Sequence, residues 1–110
     1  MARQYLFFVY IMASSSGTLY VGVSNNVYAR SGQHKLGTGS AFCRKYKIDR
    51  LVYYEEHRYI RNAIARETEV KKWRRAKKIA LIESMNPSWR DLRKDFELRV
   101  FLKQPKFESQ

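Results

Sequence analysis

GTLYVGVSNN, residues 17 to 26, places leucine, tyrosine and valine between a glycine and two asparagines. The preceding run QYLFFVYIM, residues 4 to 12, is continuously apolar and rich in aromatic and branched side chains, which is typical of a strand covered on both faces. The intervening SSSG interrupts this apolar character. Together these features predict a β-hairpin over residues 4 to 24.

The two tyrosines of the hairpin share a face only if the turn has the right length. An odd turn centred on Ser15 would place Tyr10 directly opposite Tyr20, whereas an even turn would separate them. Gly22 lies two positions after Tyr20, where we expect a bulge or the close approach of a ligand backbone. The alternative is that both tyrosines are amphipathic core residues with wetted hydroxyls.

The remaining chain alternates helical and strand-like segments. Asn25 or Asn26 is suited to cap the first of the helices. Pro87 requires the last of them to end before it. The predicted segments are a helix over 27–35, a short helix over 41–47, a strand over 50–56, and helices over 59–76 and 77–85.

Charge points to a polyanionic partner. The chain of 110 residues has 22 lysines and arginines against 10 acidic residues, a formal net charge of +12, and 15% aromatic residues. The positive charge is spread along the chain, whereas a membrane-binding segment would be a single basic amphipathic helix. This distribution favours nucleic acid and predicts no membrane partner, although a basic surface on a protein with another task stays open.

Length and cysteine content indicate one cytoplasmic domain. Cys43 is the single cysteine, so the sequence predicts neither an internal disulfide nor a cysteine metal cluster. Arg3 and the apolar run 5–13 imitate a secretory signal, but the run contains two tyrosines and has the length of a buried strand. No stretch reaches the roughly 20 apolar residues that a membrane span requires.

Two polar residues stand out on the first predicted helix. Val27, Arg30 and His34 fall within about 60° of one another at 100° per residue. A guanidinium and an imidazole one turn apart, beside an inward-facing valine, can hold a phosphate and exchange a proton. A surface histidine is the alternative for His34.

A carboxylate interrupts the apolar stripe of the long predicted helix. Glu67 lies near the centre of this stripe, and Glu69 lies on the opposite side. An inward carboxylate is costly unless it is paired or bound to a cation, so a salt bridge to arginine and a metal site are both open. The stripe consists of Ile60, Ala63, Ile64 and Val70.

These residues together resemble the GIY-YIG nuclease domain. The two name-giving triplets read Phe-Val-Tyr and Tyr-Val-Gly here, but they keep their tyrosines and the second glycine. The stretch 66–89 is similar to the small single-domain bacterial branch, which is itself similar to excinuclease C N-terminal domains. The residues that carry the resemblance are, in order, Phe8-Val9-Tyr10, Tyr20-Val21-Gly22, Arg30, His34, Glu67 and Asn86.

The resemblance covers residues 5 to about 92 and implies a fold for them. This fold is α/β, with a small central three-stranded antiparallel sheet flanked by helices. We therefore expect a nuclease-like domain over 1–92 and a basic tail or extra helix over 93–110.

The implied activity is endonucleolytic hydrolysis of DNA phosphodiester bonds with one Mg²⁺ or Mn²⁺, held by Glu67. By analogy, Tyr10 or Tyr20 takes the proton from water, and His34 can relay it. Arg30 would grip the scissile phosphate. Asn86 would order the site by hydrogen bonds, with a turn or cap beside Pro87 as its alternative role.

One family feature is missing, because Val23 stands where some relatives have lysine. Lys35, Arg44 and Lys45 are candidate substitutes for phosphate binding, together with the backbone at Gly22. DNA is the expected partner, RNA is not excluded, and DNA repair or the processing of DNA structures is the expected context. Two alternatives remain, namely a non-catalytic nucleic-acid-binding module and a subunit that acts through its charged tail.

Overall fold

The computed structural model describes residues 6–37 and 39–97 and confirms the predicted α/β fold. Its three strands form one antiparallel sheet in the order β2-β1-β3. Among the described residues, no helix combines the length and the apolarity needed to cross a membrane. The strands are β1 Phe7–Ala13, β2 Leu19–Ser24 and β3 Arg50–His57, and the helices are α1 Val27–Lys35, α2 Ala41–Tyr46, α3 Ile60–Lys71 and α4 Arg75–Met85.

The central strand β1 is buried from Phe8 to Ala13, which confirms a strand covered on both faces. Tyr10 belongs to a first core cluster, with Val27 of α1 and Cys43 of α2. The opposite face of the sheet carries a second core cluster, which includes Ala63 of α3. The helices α1 and α2 therefore pack on one face of the sheet, and α3 and α4 pack on the other.

The hairpin turn is odd, but it is centred on Ser16 rather than Ser15. Tyr10 pairs with Gly22, and Tyr20 pairs with Met12. A one-residue shift of the centre moves every pairing by two residues, which leaves each side chain on its face. The two tyrosines therefore share a face as diagonal neighbours instead of direct partners.

The structure contains both helices predicted over 59–85, but the break between them lies earlier than the predicted boundary between residues 76 and 77. α3 ends at Lys71 and α4 begins at Arg75. Between them, Trp73 packs against the second core cluster, with the Arg66 guanidinium 5.0 Å and the Lys77 ammonium 4.2 Å from its ring centroid. Because the chain contains no glycine or proline here, tertiary packing of the tryptophan rather than a helix-breaking residue accounts for the turn.

Residues 93–97 are helical and pack on the sheet. Phe96 belongs to the first core cluster, with its ring centroid 4.6 Å from that of Tyr54 and 5.6 Å from that of Phe8. Arg93 donates hydrogen bonds to the Ser31 hydroxyl at 2.8 Å and to the Tyr28 carbonyl at 3.0 Å, which fastens α1. The folded unit therefore extends at least to residue 97, and the rest of the predicted tail, 98–110, lies outside the described residues.

Candidate active site

The phenol of Tyr10 occupies the space above Gly22. A Cβ atom added to Gly22 would lie 2.6 Å from both Cζ and Oη of Tyr10, a separation that side chains do not adopt. The Tyr20 ring lies beside this phenol, with 6.4 Å between the ring centroids. The glycine expected to admit a ligand backbone thus admits a tyrosine ring of the protein itself.

His34 completes an aromatic group with these tyrosines. Its ring centroid lies 5.2 Å from that of Tyr20 and 6.4 Å from that of Tyr10. The residue is only 6% exposed, and neither ring nitrogen has a hydrogen-bond partner among the described residues. Since buried polar atoms are nearly always hydrogen-bonded in native proteins, an imidazole in this state is suited to a ligand or a reacting group.

Burial, followed by the positive charge of Arg30, lowers the pKa of His34 below its ordinary value. Both effects disfavour the imidazolium. At neutral pH the ring is therefore uncharged, with one nitrogen able to accept a proton.

Arg30 lies at the edge of the inward face of α1. The fully inward residues of that helix are Val27, Ser31 and His34, whereas Arg30 is exposed. Its guanidinium makes no hydrogen bond or ion pair with any described residue. A free guanidinium beside a buried imidazole is well placed to bind an anion, for which its planar fork is suited.

Several charges converge on the Tyr10 phenol. Burial raises its pKa well above the ordinary value, with further contributions in the same direction from Tyr20 and Glu67, while Arg30 opposes them. Tyr10 therefore keeps its proton, and its hydroxyl is a hydrogen-bond donor. Tyr20 is only half-buried and is the more accessible phenol.

Glu67 lies on the side of α3 that faces the sheet. It follows Ala63 by one turn and precedes Val70, both of which are fully buried. Its side chain is 15% exposed, and Oε2 lies 2.9 Å from Nζ of Lys71. The ion pair is thus with a lysine one turn along the helix, whereas the alternative weighed from the sequence was an arginine.

The apolar stripe of α3 is narrower than its sequence predicts. Ile60 and Ile64 are 45% and 49% exposed, so Ala63 and Val70 alone of the four stripe residues are buried. Even so, Glu67 keeps its inward position because it lies between those two along the helix.

Asn86 has a different setting from the other predicted site residues. It is 2% exposed and ends α4. Its amide nitrogen donates to the carbonyls of Val52 at 3.1 Å and Arg90 at 2.8 Å, and its side-chain oxygen accepts from the Arg90 amide at 3.2 Å. These bonds fasten the turn after α4 to β3, which corresponds to the cap role left open by the sequence.

The predicted phosphate-binding residues divide into two groups. Lys35 and Arg44 line a cavity of about 330 Å³ that includes His34, whereas Lys45 lies outside its lining, with its ammonium 5.4 Å from the centroid of the Tyr46 ring. Lys47 also lines this cavity and was not named as a site residue, although it belongs to the same basic segment as Arg44 and Lys45. Lys71 was also missed, although its i, i+4 spacing from Glu67 was a usable signal.

Four predicted residues therefore form one group, which we call the tyrosine–histidine site: Tyr10, Tyr20, Arg30 and His34. Glu67 belongs to α3, which packs on the other face of the sheet, and its charge contributes to the raised pKa of Tyr10. Within the described ranges, no three histidine, cysteine or acidic side chains gather as a ready-made metal cage. Glu67 offers one hard carboxylate donor instead. Such a donor fits Mg²⁺ or Mn²⁺, since Mg²⁺ usually retains several waters and binds through one or two carboxylates.

Comparison with known proteins identifies the family of the chain. The family model described as the GIY-YIG catalytic domain matches residues 6–80. UPF0213 proteins from Staphylococcus aureus strains Mu3 and N315 are 38% identical over 76 residues, covering 69% of this chain and 93% of each relative. The solution NMR structure of the UPF0213 protein BH0048 from Bacillus halodurans has 28% identity and a TM-score of 0.51, over 78% of this chain and 92% of that one. The chain thus belongs to the GIY-YIG family.

Proposed function

We propose that this protein is a metal-dependent endonuclease that hydrolyses DNA phosphodiester bonds with one divalent cation, Mg²⁺ or Mn²⁺. The observation that carries the proposal is the buried imidazole of His34, whose ring nitrogens lack partners among the described residues while two phenols lie beside it. Family membership supports nuclease chemistry for the same residues.

Tyr20 and His34 activate the attacking water. Tyr10 is buried and retains its proton, whereas Tyr20 is half-buried and adjacent to the neutral imidazole. An imidazole is more basic than a neutral phenol hydroxyl, so the Tyr20 hydroxyl passes the proton of the attacking water to His34. Tyr10 donates a hydrogen bond that orients the reacting groups.

Arg30 stabilises the negative charge on the scissile phosphate. Its exposed guanidinium can form two parallel hydrogen bonds to a phosphate, and these bonds strengthen as negative charge develops in the transition state. The overall charge of +12 attracts the DNA backbone before these short-range contacts form.

Glu67 is the residue that would hold the divalent cation. When bound, the cation supplies Lewis-acid stabilisation of the leaving oxygen. Lys71, 2.9 Å from Oε2, would have to release that oxygen or share the carboxylate. Cytoplasmic DNA repair, or the processing of DNA structures, is the setting that we propose for this activity.

The Glu67–Lys71 ion pair also favours a second candidate function. A carboxylate that is already neutralised by lysine fits a nucleic-acid-binding module that keeps the fold without cleaving. In that case DNA binding would depend on salt and would be indifferent to loss of the Glu67 carboxylate.

Cleavage of supercoiled plasmid separates the two functions. We expect wild-type protein with Mg²⁺ or Mn²⁺ to nick or linearise the plasmid, and Glu67→Ala to lose at least about 10³-fold in rate, because metal chemistry contributes several kcal/mol. Glu69→Ala is the matched control on the same helix. Equal inactivity of wild type and Glu67→Ala across plasmid, branched and nicked DNA, with binding retained by both, would select the non-catalytic module.

A further inference from the structure

The cavity beside His34 extends beyond the groups used in the proposed chemistry. It measures about 330 Å³ and lies between the end of α1 and the helix α2. Its lining includes His34, Lys35, Cys43, Arg44, Lys47 and Asp49.

His34 is the observation that points to a ligand. The ring lines the cavity, is 6% exposed, and has no hydrogen-bond partner at Nδ1 or Nε2 among the described residues. Gly39 makes room for the ring in this position, since a Cβ atom there would lie 2.7 Å from Nδ1. The His34 imidazole is therefore a buried polar group in the cavity wall that has no hydrogen-bond partner among the described residues.

The charged residues of the lining differ in how far they are already engaged. Lys35 forms an ion pair with Asp91 at 2.7 Å. Arg44 has one long hydrogen bond, 3.4 Å to the Gly39 carbonyl. The exposed Lys47 has no side-chain hydrogen bond or ion pair with the described part of the chain. Arg44 and Lys47 are thus the cations most available to an anion.

The remaining lining has a different chemistry. Asp49 contributes a carboxylate, which accepts hydrogen bonds and repels a bare anion. Cys43 is 2% exposed and contributes a small apolar wall. A ligand matched to all of these groups carries an anionic part, a hydrogen-bond donor and some apolar surface.

We propose that this cavity binds a single unpaired nucleotide of the DNA substrate, next to the bond that is cut. Its phosphate contacts Arg44 and Lys47, and its base or sugar donates a hydrogen bond to Asp49. The volume agrees, because ligand pockets of about 300 to 1,000 Å³ accommodate small organic molecules. This inference rests on the proposed function, since it names the part of the substrate that the same site takes.

Binding of a free nucleotide in the absence of divalent cations tests the cavity without requiring cleavage. The probes are deoxyadenosine 5′-monophosphate, deoxyadenosine and inorganic phosphate, titrated into wild-type protein and Glu67→Gln. The readouts are the NMR signals of the His34 ring and of Cys43. We expect the nucleotide to bind both proteins at least about fivefold more tightly than either fragment, because only the nucleotide engages both halves of the lining.

Matched lysines provide the control. Lys47→Gln and Arg44→Gln should each weaken nucleotide binding about five- to tenfold, since each removes a charge-assisted contact, whereas Lys45→Gln should leave it within about twofold. Equal affinity for phosphate and nucleotide would overturn the nucleotide assignment. Absence of binding, or an equal effect of Lys45→Gln and Lys47→Gln, would overturn the site.

The outcome is separable from that of the proposed function. Nucleotide binding at His34 combined with an inert wild-type protein in the plasmid assay would keep the site and reject the nuclease. Plasmid cleavage without nucleotide binding would keep the nuclease and reject this cavity.

Discussion

Two polar clusters made of similar residue types lie on opposite faces of the same sheet. One is the tyrosine–histidine site. The other, which we call the Glu55 cluster, consists of Tyr53, Glu55, His57 and Arg66. In this cluster Glu55 accepts hydrogen bonds from Arg66 at 2.9 and 3.2 Å and from the Tyr53 hydroxyl at 2.5 Å, and its Oε2 lies 2.6 Å from Nε2 of His57. The carboxylate is therefore satisfied by the chain itself.

The two clusters differ in whether their buried polar atoms have hydrogen-bond partners. Burial raises the pKa of Glu55, but the hydrogen bonds from Arg66, Tyr53 and His57 outweigh it and hold this pKa below its ordinary value. His34, by contrast, has two buried nitrogens without partners in the described chain. Residue types alone thus do not distinguish a structural cluster from a reactive one, whereas the count of unsatisfied polar atoms does.

The largest difference between the two clusters should appear in the cleavage rate when a single tyrosine hydroxyl is removed. Tyr20→Phe should lower the plasmid cleavage rate by at least about 100-fold, because proton transfer by a positioned group contributes 10²–10⁴. Tyr10→Phe should cost less, about tenfold, since the buried Tyr10 keeps its proton. Tyr53→Phe is the matched control in the Glu55 cluster and should leave the rate per folded molecule unchanged. A larger loss from Tyr53→Phe than from Tyr20→Phe would reverse the assignment.

Removing the charge of Glu55 should have an intermediate effect, on the free energy of unfolding. Glu55→Gln should lower the free energy of unfolding by about 1–3 kcal/mol, because it breaks hydrogen bonds at a half-buried carboxylate. Cleavage per folded molecule should be retained. Urea unfolding followed by circular dichroism measures the change, and a neutral result would show that the Glu55 cluster does not hold α3 to β3.

The pH dependence of that stability has a defined sign. Because the pKa of Glu55 is lowered in the folded state, its contribution is fully present above the unfolded value of about 4.3 and is lost as the pH falls through the folded pKa. The stability difference between wild type and Glu55→Gln should therefore shrink between about pH 5 and pH 3. A difference that grows with acidification would contradict the assignment.

The smallest expected effect is on Mn²⁺ affinity, when Lys71, the ion-pair partner of Glu67, is replaced. Lys71→Met should raise the affinity for Mn²⁺ about two- to fivefold, since a partly exposed ion pair is worth no more than about 1 kcal/mol. Lys72→Met, the neighbouring lysine, is the control and should change the affinity little. Isothermal titration calorimetry provides the measurement. Weaker Mn²⁺ binding by Lys71→Met would mean that Lys71 supports the cation instead of competing with it.

The sequence predicts the features that depend on local chemistry. The cap at Asn26 is confirmed, with the side-chain oxygen accepting from the Ala29 amide at 3.0 Å. The hairpin is confirmed as well, because it follows from an apolar run and its turn residues. The three-stranded antiparallel sheet, which the family resemblance implied, is also confirmed. The grouping of Tyr10, Tyr20, Arg30 and His34 was expected from the family resemblance, which rests on the order of these residues along the chain.

The features that sequence reasoning missed depend on tertiary contacts. The hairpin register is set by a turn whose length the run SSSG does not specify. Arg66 and Glu55 lie 11 residues apart and meet only when α3 packs beside β3. Lys47 lines the cavity from the C-cap of α2, where its backbone φ is +54°, a left-handed conformation that a lysine seldom adopts.

The two histidines of the chain, His34 and His57, offer the most direct test of the central contrast. The measurement is the ¹⁵N chemical shift of both imidazole rings, with and without a short DNA oligonucleotide, in the absence of divalent cations. The account predicts that DNA shifts the His34 nitrogens and leaves those of His57, already in contact with Glu55, unchanged. A shift confined to His57 would contradict it.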